Sequence, residues 1–256
     1  MYSQIFKLHA VTTLYQKLGV LCLLMTAVLP FVLPEMTNYH VDDRLLAPAR
    51  AQVVWQFSWI VVVFWLLYHA ATSGAEYVQS GLAAYYTSSG LSKGGQLTML
   101  WMSCMIYGVL LCLISAVVTV VFASPQHELE SRHWLVLVVQ QFSLMLIVVS
   151  AFVSFALALG SRLGGTIGYV GSLGVFVWSF YGVKMVQNLV VAKDSFVVDW
   201  LYIVSPHGFL SDLTHRFVHK QGAMASSEFM ALFEYLAGWC LVASALSLFM
   251  FNSKQR

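Results

Sequence analysis

A chain of 256 residues that is 59% hydrophobic and only 9% charged, with a mean hydropathy of +0.77, is not a water-soluble domain, in which about 25% of residues carry charge. Its net charge of +2, with no run of Lys and Arg longer than two residues, offers no surface for nucleic acid.

Runs of about 17–25 apolar residues, the length a helix needs to cross a bilayer, occur near 18–33, 52–71, 97–123, 134–160, 166–191 and 229–251. They are continuous rather than alternating, which favours helices over a barrel. The expected fold is therefore an all-α polytopic membrane protein, a single transmembrane domain over 1–256 with six spans. Cys22, Cys104, Cys112 and Cys240 fall inside these runs among apolar neighbours and read as small core residues.

Residues 1–17 place Ile5, Phe6, Leu8, Val11, Leu14 and Tyr15 toward one helical face, with Lys7, His9, Gln16 and Lys17 toward the other. This fits an amphipathic interfacial helix leading into the first span; a plain extension of that span fits equally. The first apolar run carries Pro30 and Pro34 and has no small-residue cleavage site behind it, so it is not read as a cleaved signal.

The stretch 74–97 is the longest break between apolar runs in the first half. It opens on Glu76, carries Leu82, Tyr85 and Tyr86, and closes on the breaker-rich series Ser88 to Gly95. A short surface helix and a tight turn are expected over 74–96. Gly90-Leu91-Ser92-Lys93-Gly94 matches GxSxG, but lies between a short helix and a span, not at the strand-to-helix turn a nucleophilic serine needs. The chain has no phosphate loop, HExxH or CxxC.

An even number of spans puts both termini on one side. With the termini in the cytoplasm, Lys and Arg of the loops and tails tie at six per side. Glu76 is then the single inner acid, against nine outer acids from Glu35 to Glu228. The external loops expected are 35–50, 124–133 and 192–228, and that weak asymmetry favours the cytoplasmic placement.

Gly160, Gly164 and Gly168 recur every fourth residue, followed by Gly171 and Gly174. Small residues at this spacing let helices approach closely. Gly164, Gly168 and Gly171 thus mark either static packing against span four or a mobile helix at a subunit or pathway interface. Lys184 and Glu234 are charges within predicted spans and are pathway candidates; snorkelling or a mutual ion pair would also account for them. In 192–228, semi-apolar pieces at 196–204 and 209–218 flank Ser205-Pro206-His207-Gly208 and predict two short re-entrant helices buried against protein. His215 and His219, one turn apart after Asp212, form a weak metal pair, or simply surface histidines. Trp55, Trp134, Tyr169, Trp200, Tyr202 and Tyr235 read as an interfacial aromatic belt.

Together these features resemble the membrane subunit, or permease, of ABC-2 type ATP-driven transporters. The likeness rests on the six-span layout with its amphipathic N-terminal helix, on Glu76 followed by Gly81 to Lys93 leading into span three, on Ser205-Pro206-His207-Gly208-Phe209 after span five, and on a last span closing with polar and basic residues. Gly90 stands where the family usually has Pro, and the Lys that often begins span three is absent, Gln96 being nearest to its place. The resemblance implies a cytoplasmic coupling helix between spans two and three, with Glu76, Gly81, Leu82, Tyr85, Tyr86, Ser92 and Lys93 meeting a separate ATPase dimer. ATP and Mg would sit on that partner, so this chain would carry no catalytic residue, cofactor or metal of its own. A second membrane subunit, the same or different, would complete the path in a bacterial inner membrane, and transport would be export, or extraction of something from the membrane. The composition of the predicted path suits a lipid-like, amphipathic or peptide substrate, with a heme- or copper-related cargo open through the histidines. Two other classes fit the same sequence. A membrane enzyme subunit holding a metal would need ligands at one depth, with His69 nearest a span interior. A purely structural membrane subunit would make 74–97 an ordinary loop.

Overall fold

The computed structural model describes residues 2–36, 43–125, 128–192 and 195–252, and all regular structure among them is helical. Helix α1 (Tyr2–Tyr15) breaks at the extended Gln16 before α2 (Lys17–Glu35). A long rod follows, built from α3 (Asp43–Val61), a π turn (Val62–Leu66) and α4 (Leu67–Gln79). Next come α5 (Leu82–Ser88), α6 (Lys93–Phe122) and α7 (Glu128–Leu163). A second interrupted rod joins α8 (Gly165–Val177), a π turn (Trp178–Gly182) and α9 (Val183–Ala192). The chain then runs through α10 (Phe196–Val204), a 3-10 turn (Gly208–Ser211), α11 (Thr214–Val218) and α12 (Ser226–Met250).

Six helical runs are long and apolar enough to cross a membrane: Lys17–Glu35, Leu45–Gln79, Lys93–Phe122, His133–Leu163, Gly165–Val190 and Ser226–Met250. The chain is an integral membrane protein. In the most apolar 18-residue stretch of the second and of the fourth run 67% of residues are buried, against 22% in the first and 11% in the sixth. The α3–α4 rod and α7 therefore form the centre of the bundle, while α2 and α12 turn most of their apolar surface outward.

The glycines explain how the centre closes. A Cβ on Gly74 would strike the Leu157 carbonyl, one on Gly160 the Ala71 carbonyl, and one on Gly168 the backbone of Gly160. Helices α4, α7 and α8 thus touch backbone to backbone, the arrangement that small residues permit. Gly168 is a packing residue. Gly171 lies beside Leu159, a Cβ there coming within 3.1 Å of its Cδ1. Gly164 plays a different part: with φ +93° and open space around it, it makes the turn from α7 to α8.

Several expectations need correcting. Trp55 and Trp134 are core residues, not belt residues: both are buried and both pack on the buried Phe217, with ring centroids at 6.4 and 4.9 Å. Trp200, by contrast, is exposed on α10. Helices reach into the expected loops, since α3 starts at Asp43 and α7 at Glu128; the remainder of those loops at 37–42 and 126–127 lies outside the described residues. So do Lys193, Lys254 and Arg256, used in the charge count. On α1 the apolar side divides: Ile5 is buried where the helix meets α6, whereas Leu8, Val11 and Tyr15 are exposed. Of the two short helices expected in 192–228, only the second is buried. Leu213 and Phe217 enter the core against α3 and α7, while α10 buries no residue and exposes Phe196, Val197, Trp200 and Ile203.

Candidate functional site

The predicted site residues separate to opposite ends of the bundle. One end carries α5, the N-terminus of α6 and the C-termini of α7 and α12. Lys93 donates to the Phe249 carbonyl (3.2 Å), and the Asn252 N–H donates to Ser161 Oγ (3.0 Å). The other end carries α10, α11 and Arg50, which donates to Glu35 (3.3 Å) and lies over the Phe31 ring.

At the α5 end the stretch 74–96 is not one element. The α4 helix continues to Gln79, so Gly74 lies inside the bundle and Glu76 is an exposed residue of the span's last turns. Gly81 then turns the chain at φ 78°, α5 runs for seven residues, and Gly90 turns it again at φ 85°. Both angles lie in the left-handed region that glycine enters without a Cβ penalty. Gly94 and Gly95 belong to the first turn of α6, and the Ser92 hydroxyl caps that helix by accepting from the Gly95 N–H at 3.1 Å. This cap is what the GxSxG match encodes.

Gln96 holds α5 in place. It is wholly buried, accepts from the Tyr77 hydroxyl (3.0 Å), and donates to Thr87 Oγ1 (3.1 Å) and the Leu91 carbonyl (3.2 Å). One amide thereby ties α4, α5 and the following turn to α6. The Tyr86 ring stacks on Tyr77 with centroids 6.4 Å apart, and Leu82 packs on the core. Tyr85 and Glu76 face outward. The predicted residues of this stretch do come together, as a firmly anchored base with an exposed Glu76–Tyr85 surface.

At the other end the 205–225 segment is held by two neighbouring amides of α7 that the sequence reading overlooked. Gln140 pairs in both directions with the Met224 backbone (3.0 and 2.9 Å), and Gln141 accepts from the Leu213 N–H at 2.6 Å. Two adjacent glutamines inside an apolar run were the available signal. His207 is buried, its Nδ1 lying 2.5 Å from the Tyr235 hydroxyl, and burial lowers its pKa against a smaller raising effect of the Ser205 backbone.

Lys184 and Glu234 form no ion pair. The Lys184 ammonium sits over the Phe209 ring, 4.9 Å from its centroid, and Glu234 is exposed on α12. His215 and His219 are both exposed, and among the described residues no three His, Cys, Asp or Glu side chains converge closely enough to share a metal. His69 lies in α4 as a buried residue whose Nε2 meets the hydroxyls of Thr13 (2.8 Å) and Ser73 (3.4 Å).

Lys184, His215 and His219 nevertheless share a feature. They line a cavity of about 630 Å³ between α3, the π turn at Trp178–Gly182 with α9, the 3-10 turn with α11, and the start of α12. No protein-family model and no curated protein matches this chain.

Proposed function

We propose that this chain is the membrane subunit of an ATP-driven exporter of the ABC-2 type, working with a separate ATPase dimer and a second membrane subunit. The observation that supports it most is the construction of α5. A seven-residue helix between two left-handed glycines is fixed to α4 and α6 through Gln96. Its exposed face carries Tyr85, with Glu76 beside it on α4.

Such an element suits force transfer. A partner that pressed on Tyr85 and Glu76 would move α5 as a unit with the N-terminus of α6 and the C-terminus of α4. The α4 backbone meets α7 directly at Gly74 and Gly160, and α7 meets α8 at Gly168, so displacement would pass into the centre of the bundle without slack. In this reading the α5 end faces the cytoplasm, ATP and Mg belong to the partner, and the cavity at the opposite end belongs to the export path.

The test is purification of the full chain from its native membrane in mild detergent, with ATP turnover measured on what co-purifies. An ATPase subunit is expected in the complex, and Glu76→Lys with Tyr85→Ala is expected to detach it or abolish substrate-linked turnover while leaving the chain folded. Absence of any ATPase, or unchanged turnover in the double variant, would overturn the proposal.

A further inference from the structure

The cavity of about 630 Å³ at the α11 end has the size of a ligand site rather than of a packing defect. Its polar groups are unusual for a membrane protein. Gln52 and Gln56, one turn apart on α3, and Lys184 on α9 all belong to membrane-crossing runs, yet all three border this one space. Polar side chains within spans are costly in hydrocarbon and gather where they face a cavity.

The charge balance is one-sided. Lys184 and Arg216 border the cavity, together with His215 and His219. The one acid among the lining residues is Asp212, which already accepts hydrogen bonds from the backbone N–H (3.1 Å) and the hydroxyl of Thr214. Arg216 is partly engaged as well, donating to the carbonyls of Gly222 (3.0 Å) and Ala223 (3.4 Å). Lys184 is the cation left over. Among the described residues no carboxylate lies within ion-pair distance of it, and its ammonium rests over the Phe209 ring. Most of the remaining wall is apolar, Phe209, Leu210 and Leu232 included. Part of the wall is formed by Phe180 and Tyr181, which lie on the π turn at Trp178–Gly182; such interruptions of a helix occur frequently at functional sites.

We propose that this cavity binds an anionic amphiphile, its head held by the Lys184 ammonium with the amides of Gln52 and Gln56, and its apolar part laid against Leu210 and Leu232. An inorganic anion would leave the apolar wall and most of the volume unused. A cation would meet Lys184 and Arg216. Calling the ligand a cargo rests on the exporter reading, but the binding is a property of this chain and needs no ATPase. Failure of the coupling experiment therefore leaves this test standing, and the reverse holds too.

The experiment uses the purified full chain in a maltoside detergent. Oleoyl lysophosphatidylglycerol, oleoyl lysophosphatidylcholine, dodecyl phosphate and inorganic phosphate are titrated in turn, with bound molecules counted by native mass spectrometry. The glycerol lipid is expected to bind about tenfold or more tighter than the choline lipid of the same tail, the size of effect that one charge-assisted contact supplies. Lys184→Gln should abolish that preference and Lys184→Arg should keep it. Should Lys184→Gln not remain monodisperse, Gln56→Leu is read instead, with a weaker loss of the same preference. Dodecyl phosphate binding in place of the glycerol lipid would support the site and assign it to a non-lipid amphiphile. Equal affinity for the two lysolipids, a preference unmoved by the variants, or phosphate alone binding as tightly as the amphiphiles would overturn the proposal.

Discussion

The Tyr77 hydroxyl donates to Gln96 Oε1 across 3.0 Å, joining the last turns of α4 to the first turns of α6. Both side chains are buried, so neither group has water to fall back on. The same amide uses its N–H donors on Thr87 and Leu91. The short helix α5 is therefore tied to both of the spans it connects.

Gln96→Leu should cost about 1–3 kcal/mol, because the Tyr77 hydroxyl and the Leu91 carbonyl would lose a partner while staying buried. Pairing it with Tyr77→Phe removes one orphan, so the double variant should cost less than the sum of the singles. Thermal melts of the purified chain in detergent read both effects. Additive losses would mean that the two side chains do not share their energy as the geometry requires.

The glycines of α7 and α8 should respond very differently to the same small change. Gly160→Ala drives a methyl into the Ala71 carbonyl and should destabilise by about 1–3 kcal/mol or more, as overpacking does. Gly174, in α8, has nothing within 4 Å of where a Cβ would stand. Gly174→Ala should be neutral or stabilise by up to about 1 kcal/mol through helix propensity. A comparison of melting temperatures decides; equal losses at the two positions would mean that α7 does not sit against α4 as described.

His207 should make the α11 end sensitive to acid. Its pKa is lowered by burial from 6.5, so the unfolded chain binds the proton more tightly than the folded one. The associated stability is complete above about pH 6.5 and is lost as pH falls below that value, at no more than about 1.4 kcal/mol per pH unit. Hydrogen exchange of residues 205–218 should quicken between neutral pH and pH 5 after correction for the intrinsic rate. His207→Gln should flatten the dependence. An unchanged profile in that variant would assign the effect elsewhere.

Class and layout were legible from the sequence because hydropathy is a property of each residue alone: a run of apolar side chains long enough to span hydrocarbon declares itself without any knowledge of its neighbours. The six spans were found this way. The tight turn expected in 88–95 is made at Gly90, but Gly81 makes a second turn that the local pattern did not mark, and Gly94 and Gly95 belong to α6. Where one element ended and the next began was less legible. The extension of α4 through Glu76 depends on Gly74 meeting the Leu157 carbonyl from another helix, and no local pattern encodes that.

The roles of the polar residues were decided only by the tertiary structure. Gln96, Gln140 and Gln141 look alike in sequence, as amides inside or beside apolar runs. Their partners lie 5 to 19 residues away for Gln96, and 84 and 72 for Gln140 and Gln141. Lys184 and Glu234 carry opposite charges in neighbouring predicted spans, yet Lys184 turns to Phe209 and the cavity instead. A buried polar group takes whichever partner the packing brings within hydrogen-bonding distance, and that choice is made among helices, not along the chain.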